Sequence, residues 1–201
     1  MHHQAIRFGS VSFSDIEIKD ILKAWIALSF AFAVLLAGLT SGLMAAFVIS
    51  SLTVGIGFIA HELGHKVMAQ HYGAWAEFRA WNQGLIIAVI MSFFGFILAA
   101  PGAVMIEGRT IGRRRYGIIA AAGPVMSYAA ALFFLAAALL FPTGVFNIIG
   151  KYGFTINSWL GLFNMMPIFM LDGKKIWDWD KGWFILLLGF GIALIVLNGL
   201  L

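Results

Sequence analysis

The chain has 201 residues, 62% of them hydrophobic and 11% charged, and its mean hydropathy is +0.95. This composition excludes an ordinary soluble globular domain and marks an integral membrane protein. The formal net charge of +4 reads as cationic loops gathered on one membrane face near anionic headgroups, with no sign of nucleic-acid binding. Zero cysteines exclude disulfides and thiolate metal sites, which leaves His, Asp and Glu to hold any metal.

Residues 1–23 carry Arg7, Asp15, Glu17, Lys19, Asp20 and Lys23 with no early apolar run. No signal peptide is expected, and the first span doubles as the insertion signal. His2 and His3 are read as flexible. Ile6 to Phe13 alternates in polarity, which predicts a short hairpin with Gly9-Ser10 at its bend. Ser14-Asp15-Ile16-Glu17 is a capping-box pattern opening a helix that runs through Lys23 into an apolar span ending near Gly38. Further spans are predicted at 43–70, 117–141, 154–172 and 182–201, each near the ~20 residues needed to cross hydrocarbon. Ala74 to Trp81 alternates after Gly73 and predicts an edge strand.

The segment 84–106 is apolar and long enough to cross, yet it contains Gly95 and Pro101-Gly102. If it crossed, Asp172 and His61 would lie on opposite faces of the membrane. If it enters and leaves on one face, Arg79, Arg109, Arg113, Arg114, Arg115, Lys174, Lys175 and Lys181 share the side of Arg7, Lys19 and Lys23, as the positive-inside rule favours. It is therefore read as re-entrant. The expected fold is an all-α polytopic membrane protein of five to six transmembrane helices, with short β elements near the cytosolic face. Five full crossings and the insert put the N-terminus in the cytosol. Trp75, Trp81, Trp177, Trp179 and Trp183 are read as an aromatic belt, and Arg113-Arg114-Arg115 as a cytosolic anchor.

His61-Glu62-Leu63-Gly64-His65 lies in the apolar run that starts near Gly42. Two histidines four apart on a helix are about 40° apart around the axis and about 6 Å apart along it, so one metal can bind both. Glu62 beside them is placed to take a proton from water, the general-base role in metal-assisted hydrolysis. A catalytic zinc takes three protein ligands as a rule, and two residues compete for third place. His71 has the spacing of the last histidine in the H-E-x-x-H-x-x-G-x-x-H pattern of soluble metzincins, but Met68 replaces the helix-breaking glycine. On an unbroken helix His71 sits roughly 15 Å from His61 along the axis and cannot share its metal. Asp172 ends an apolar stretch at the depth and on the face that the topology gives to His61 and His65, so it is preferred. The plainer reading of Asp172 is an interfacial acid beside Lys174 and Lys175.

Asn164-Met165-Met166-Pro167-Ile168-Phe169-Met170-Leu171-Asp172-Gly173 fits the N-x-x-P-x-x-x-x-D-G pattern of the site-2 protease family, whose first motif the 61–65 pentapeptide also fits. From about Ile56 to Gly173 the chain resembles these intramembrane zinc metalloproteases. The resemblance implies His61, His65 and Asp172 as ligands of one Zn2+ per chain, Glu62 as catalytic base, and Asn164 as a residue that contacts substrate or stabilises the reacting carbonyl. Gly123-Pro124 resembles a family Gly-Pro pair, and Ser127, where the family often has Asn, is given no role. The chain is then one metalloprotease domain, 1–201, with a catalytic core at about 43–175, a peripheral hairpin and first helix at 1–42, and a C-terminal helix at 182–201. Regulated cleavage of transmembrane protein substrates in the cell membrane, at a site in the cytosolic half, is the implied activity. Lys66, His71 and Asp172 are expected to give water a short path. The candidate strand (Ala74, Trp75, Ala76, Glu77, Phe78) is expected to pair with an unwound substrate segment, and Gly95 with Pro101-Gly102 to let the insert act as a gate. The competing reading is a zinc transporter or an inactive relative that holds transmembrane helices. A transporter offers ligands at successive depths or a repeated half, and neither is visible; an inactive relative is expected to lack the base, and Glu62 is present.

Overall fold

The computed structural model describes residues 5–9, 11–97, 101–107, 111–168 and 171–200; the expectations for His2, His3, Ser10 and Arg109 lie outside them. Strands β1 (Ala5–Phe8) and β2 (Val11–Ser14) form the predicted antiparallel hairpin. Helix α1 (Asp15–Ala37) follows at once, its N-terminus capped by the Ser14 side chain, which accepts from the Glu17 N–H. Only half of the capping box forms. The Glu17 carboxylate turns away from the cap to a buried cation, Lys66, which is the stronger partner.

Helix α2 (Leu43–Ser50), a π-helical turn (Ser51–Gly55) and helix α3 (Ile56–His71) make one 29-residue rod. A π turn disturbs the regular carbonyl pairing of a helix, and a lipid-exposed helix has no water to make up for it. Two neighbours supply the donors here. Trp25 Nε1 of α1 reaches the Ser51 carbonyl at 3.0 Å, and Asn157 Nδ2 reaches the Thr53 carbonyl at 3.3 Å. Gly55 and Gly57 admit those side chains, since a Cβ at either position would fall within 1.7 Å of the Trp25 indole or the Asn157 amide.

Strand β3 (Trp75–Ala80) bears out the strand predicted after Gly73, with Ala76 and Phe78 buried and Trp75 exposed. Its partner is unforeseen: β4 (Gly102–Glu107), drawn from the end of the segment read as re-entrant, pairs with it antiparallel. Between them α4 (Asn82–Ser92) has eleven residues. It is about 16 Å long, too short for a ~30 Å hydrocarbon core. Trp81 N–H donates to the Pro101 carbonyl at 2.9 Å, so the segment returns to the point it left. Gly102 opens β4, where a Cβ would lie 2.2 Å from the Arg79 carbonyl, so close approach of the two strands accounts for a glycine there. Gly95, with φ +85°, lies in a turn beyond α4.

Helices α5 (Arg113–Leu140) and α6 (Gly144–Asn164) form a close antiparallel pair. Gly150 lies on the backbone of Ala138, Gly153 on the Phe134 ring and Gly161 on the Tyr128 ring. Small residues at such contacts are how membrane helices approach closely. The span predicted at 154–172 is corrected. The helix starts earlier, at Gly144, and stops at Asn164, because Pro167 lacks a backbone N–H and disfavours helix just before it. Asp172 then begins a separate helix, α7 (Asp172–Trp179), instead of closing an apolar one. Helix α8 (Lys181–Asn198) starts on an Asp180 cap that accepts from Gly182 and Trp183 N–H.

Among the described residues four helices are long and apolar enough to cross a membrane: Asp15–Ala37, Leu43–His71, Arg113–Leu140 and Lys181–Asn198. With two small two-stranded sheets, this is a helical protein of membrane type. Its outer surface is apolar. Phe133 is 70% exposed and Leu140 74%, which suits a hydrocarbon solvent. Trp75, Trp81, Trp177 and Trp183 are also outward, and Trp179 packs on Gly117 of α5 while stacking on Trp183.

Candidate metal centre

The metal-capable group among the described residues is His61, His65 and Asp172, all buried. Helix periodicity puts the two imidazoles on one face of α3, edge to face, with Nε2 atoms 3.1 Å apart. Asp172 Oδ2 lies 3.3 Å from His61 Nε2 and 3.0 Å from His65 Nε2. Tetrahedral zinc with bonds of about 2.0–2.1 Å has ligand atoms about 3.3 Å apart, so this triangle has the right size.

Each remaining ring nitrogen is fixed from α5. His65 Nδ1 donates to the Ile119 carbonyl at 2.8 Å, and His61 Nδ1 meets Ser127 Oγ at 2.9 Å. A proton on each Nδ1 leaves both Nε2 lone pairs aimed at the same point. Ser127 is therefore a site residue that sequence reasoning passed over. The usable signal is its position one helical turn beyond Gly123, which places both on the α5 face that meets the histidines. Gly123 must be small: a Cβ there would lie 2.3 Å from His65 Nε2 and 2.7 Å from His61 Nε2. Pro124, inside the helix, leaves the Ala120 carbonyl without its usual partner and loosens the turn whose Ile119 carbonyl serves His65.

Asp172 reaches the pair from the first position of α7, where a helix N-terminus favours a carboxylate. Its other oxygen, Oδ1, accepts from Lys175 Nζ at 3.0 Å. The Lys175 ammonium beside it favours the ionised carboxylate, the form that can share a metal with two neutral imidazoles. Lys175 in turn, which burial would pull down, is raised by that carboxylate. The glycine after Asp172 has a packing reason, since a Cβ on Gly173 would sit 2.1 Å from the Met165 carbonyl. Thus the two ends of the N-x-x-P-x-x-x-x-D-G stretch touch.

Glu62, next to His61 on α3, keeps a buried Oε2 without a hydrogen-bond partner. A buried carboxylate oxygen left open beside three convergent ligands is what a metal and its water would satisfy, so these residues fit zinc. Asn164 ends α6 and spends one amide hydrogen on the Leu160 carbonyl at 2.9 Å; the described hydrogen bonds and ion pairs do not join it to the cluster. His71 is exposed at the end of α3 against Tyr72, apart from the ligands. Lys66 does not line a water path: it is 1% exposed and bound to Glu17.

Fold and cluster together define a helical protein of membrane type with a His-His-Asp group able to hold a metal ion. Over 170 residues the chain is 41% identical to a Methanocaldococcus jannaschii protein named "Putative zinc metalloprotease", covering 84% of this chain and 86% of that protein. The chain belongs to that protein's family. No family model matches the chain, and no solved structure matches it.

Proposed function

We propose that this chain is an intramembrane zinc metalloprotease of the site-2 type, hydrolysing peptide bonds in or near transmembrane segments of membrane-anchored proteins. The observation that carries the reading is the convergence of His61 and His65, on a 29-residue apolar helix, with Asp172 of α7 within 3.3 Å, beside the buried and unpartnered Glu62 Oε2. The relative's name, a zinc metalloprotease, points the same way.

His61, His65 and Asp172 would hold one zinc, which when bound supplies a Lewis acid to polarise the scissile carbonyl and acidify water. Glu62 takes a proton from the attacking water as its oxygen bonds to the carbonyl carbon. The same carboxyl then passes that proton to the leaving amine as the C–N bond breaks. Asn164 has a second amide hydrogen, which suits it to the developing oxyanion.

A helical substrate must unwind before its carbonyls can be reached, and strand addition offers the unwound segment main-chain partners. The edge suited to this is β4 in place of β3. Ala76, Phe78 and Ala80 direct main-chain groups away from β4 into side chains of α1 and α3, whereas the corresponding groups of Gly102, Val104 and Ile106 make no such bonds among the described residues. The Trp81–Pro101 hydrogen bond supports an insert whose two ends lie on one face, and the positive-inside rule makes that face, with the N-terminus, cytosolic.

The test is chelator-sensitive cleavage of a labile transmembrane substrate by purified protein. Glu62→Gln is expected to abolish cutting while zinc content stays at one per chain. Intact substrate with wild-type protein and normal zinc would favour a transporter or an inactive binding relative.

A further inference from the structure

Lys66 follows the ligand His65 directly and is one of the most buried side chains in the molecule. Its ammonium donates to Glu17 Oε1 at 2.8 Å, Glu17 Oε2 at 2.7 Å and the Ala76 carbonyl at 2.7 Å, and it stands 4.7 Å over the Phe13 ring. Glu17, fully buried, also accepts from the Phe78 N–H at 2.9 Å. Asp20, three residues further along α1, accepts from the Ala80 N–H at 3.2 Å. Gln70, one turn beyond Lys66, adds a longer bond to the Ala76 carbonyl at 3.3 Å.

A buried ion pair is not required for packing, since apolar residues of the same volume fill such a site as well or better. What apolar residues cannot do is hold main-chain groups. Every second residue of β3, namely Ala76, Phe78 and Ala80, has one of its two outward main-chain groups taken by a charged side chain from the metal helix or from α1. Those side chains stand where a third strand would stand. They close one side of the sheet, leave β4 as the open side, and tie the sheet to α3 at the residue next to a metal ligand.

We propose that the Glu17–Lys66 pair is a positioning device for substrate: it locks the β3–β4 sheet to the metal helix, so that a peptide strand added to β4 is presented to the metal in one register. The proposal rests on the protease reading above, and neither residue touches the ligands, the base or the peptide. Main-chain pairing holds an added strand at a fixed distance from the metal while its alternate side chains select the register, so only a sheet locked to the metal helix turns one register into one cut bond.

The test uses full-length protein in detergent and a model transmembrane substrate, with product masses giving the scissile bond. Three variants are compared: Glu17→Met with Lys66→Met, which keeps the volume; the swap Glu17→Lys with Lys66→Glu, which keeps an ion pair; and Lys66→Arg, which keeps the donor to Ala76. Zinc at one per chain is expected in all three. Wild type and Lys66→Arg cut one bond, while the double Met variant and the swap spread cleavage over neighbouring bonds, with amide exchange at Phe78 and Ala80 at least tenfold faster. The swap is decisive, because a lysine at 17 cannot accept from Phe78 N–H. A swap that restores the single bond and slow exchange would reduce the pair to an electrostatic staple and overturn the proposal, as would unchanged products and exchange in the double Met variant. If wild type fails to cut, the protease reading fails, and the exchange rates still decide whether the clamp exists.

Discussion

Replacing Gly123 by alanine separates the metal-site reading from ordinary helix energetics, because the two predict opposite signs. In a helix interior, Gly→Ala stabilises by about 0.5–1 kcal/mol when nothing is in the way. Here the new methyl would lie 2.3 Å from His65 Nε2, 2.4 Å from His65 Cε1 and 2.7 Å from His61 Nε2, where ordinary contact begins at 3.4 Å. The His65 ring must therefore retreat by about 1 Å, or α5 must move away by as much. Metal bonds tolerate errors of about 0.2 Å. Retreat of the ring also strains the 2.8 Å bond from His65 Nδ1 to Ile119, and disturbing such outer partners alone costs about 10–100-fold in affinity. A loss of at least about 100-fold in zinc affinity, close to 2.8 kcal/mol, is expected. Competition against a chromophoric chelator measures it, alongside thermal unfolding of the metal-free protein. Wild-type zinc affinity together with a raised melting temperature would refute the placement of α5 against the two imidazoles.

Ser127→Ala removes the partner of His61 Nδ1, and zinc affinity is expected to fall about 10–100-fold in the same chelator assay; an unchanged value would mean that Ser127 does not orient the ring. His71→Ala is expected to leave zinc content at one per chain, since that side chain is exposed at the helix end, and zinc loss would reopen the choice of third ligand. Asp172→Ala is expected to lose the metal, measured by elemental analysis after dialysis. Asn157→Leu strips the Thr53 carbonyl of its donor and should cost about 1–3 kcal/mol in thermal unfolding, with zinc retained; no loss of stability would show that the π turn does not depend on that bond.

The pentapeptide was fully legible because its chemistry is local: four residues of helix bring His61 and His65 together whatever surrounds them. Asp172 was legible as a partner but not in its setting. Hydropathy carried the apolar run past Asn164 to 172, while the break at Pro167 put the aspartate on a new helix. Strand β3 showed its alternation, whereas β4 was hidden, because Gly-Ala-Val-Met-Ile-Glu continues an apolar segment and only pairing with β3 distinguishes it. Lys66 could not be placed from sequence. A lysine after the second histidine reads as a hydrated residue on a water path to the site, and its burial depends on Glu17, 49 residues away.

These misses share a cause. An apolar window records how far a chain can run through hydrocarbon, but not where its backbone departs from the helix, and in lipid each departure needs a donor or acceptor from elsewhere. The π turn takes Trp25 and Asn157, the inner side of β3 takes Lys66, Glu17 and Asp20, and the proline turn of α5 lies beside His65. Several of the buried polar side chains thus serve either a backbone irregularity or the metal cluster, and the irregularities flank the cluster on three elements. A polar residue inside an apolar run of such a chain is better read as the partner of a distant break in the backbone than as a defect in its own helix. By that rule Asn157, whose Oδ1 is buried and unpartnered one helical turn from the level of His61, is tied to the metal helix through the π turn.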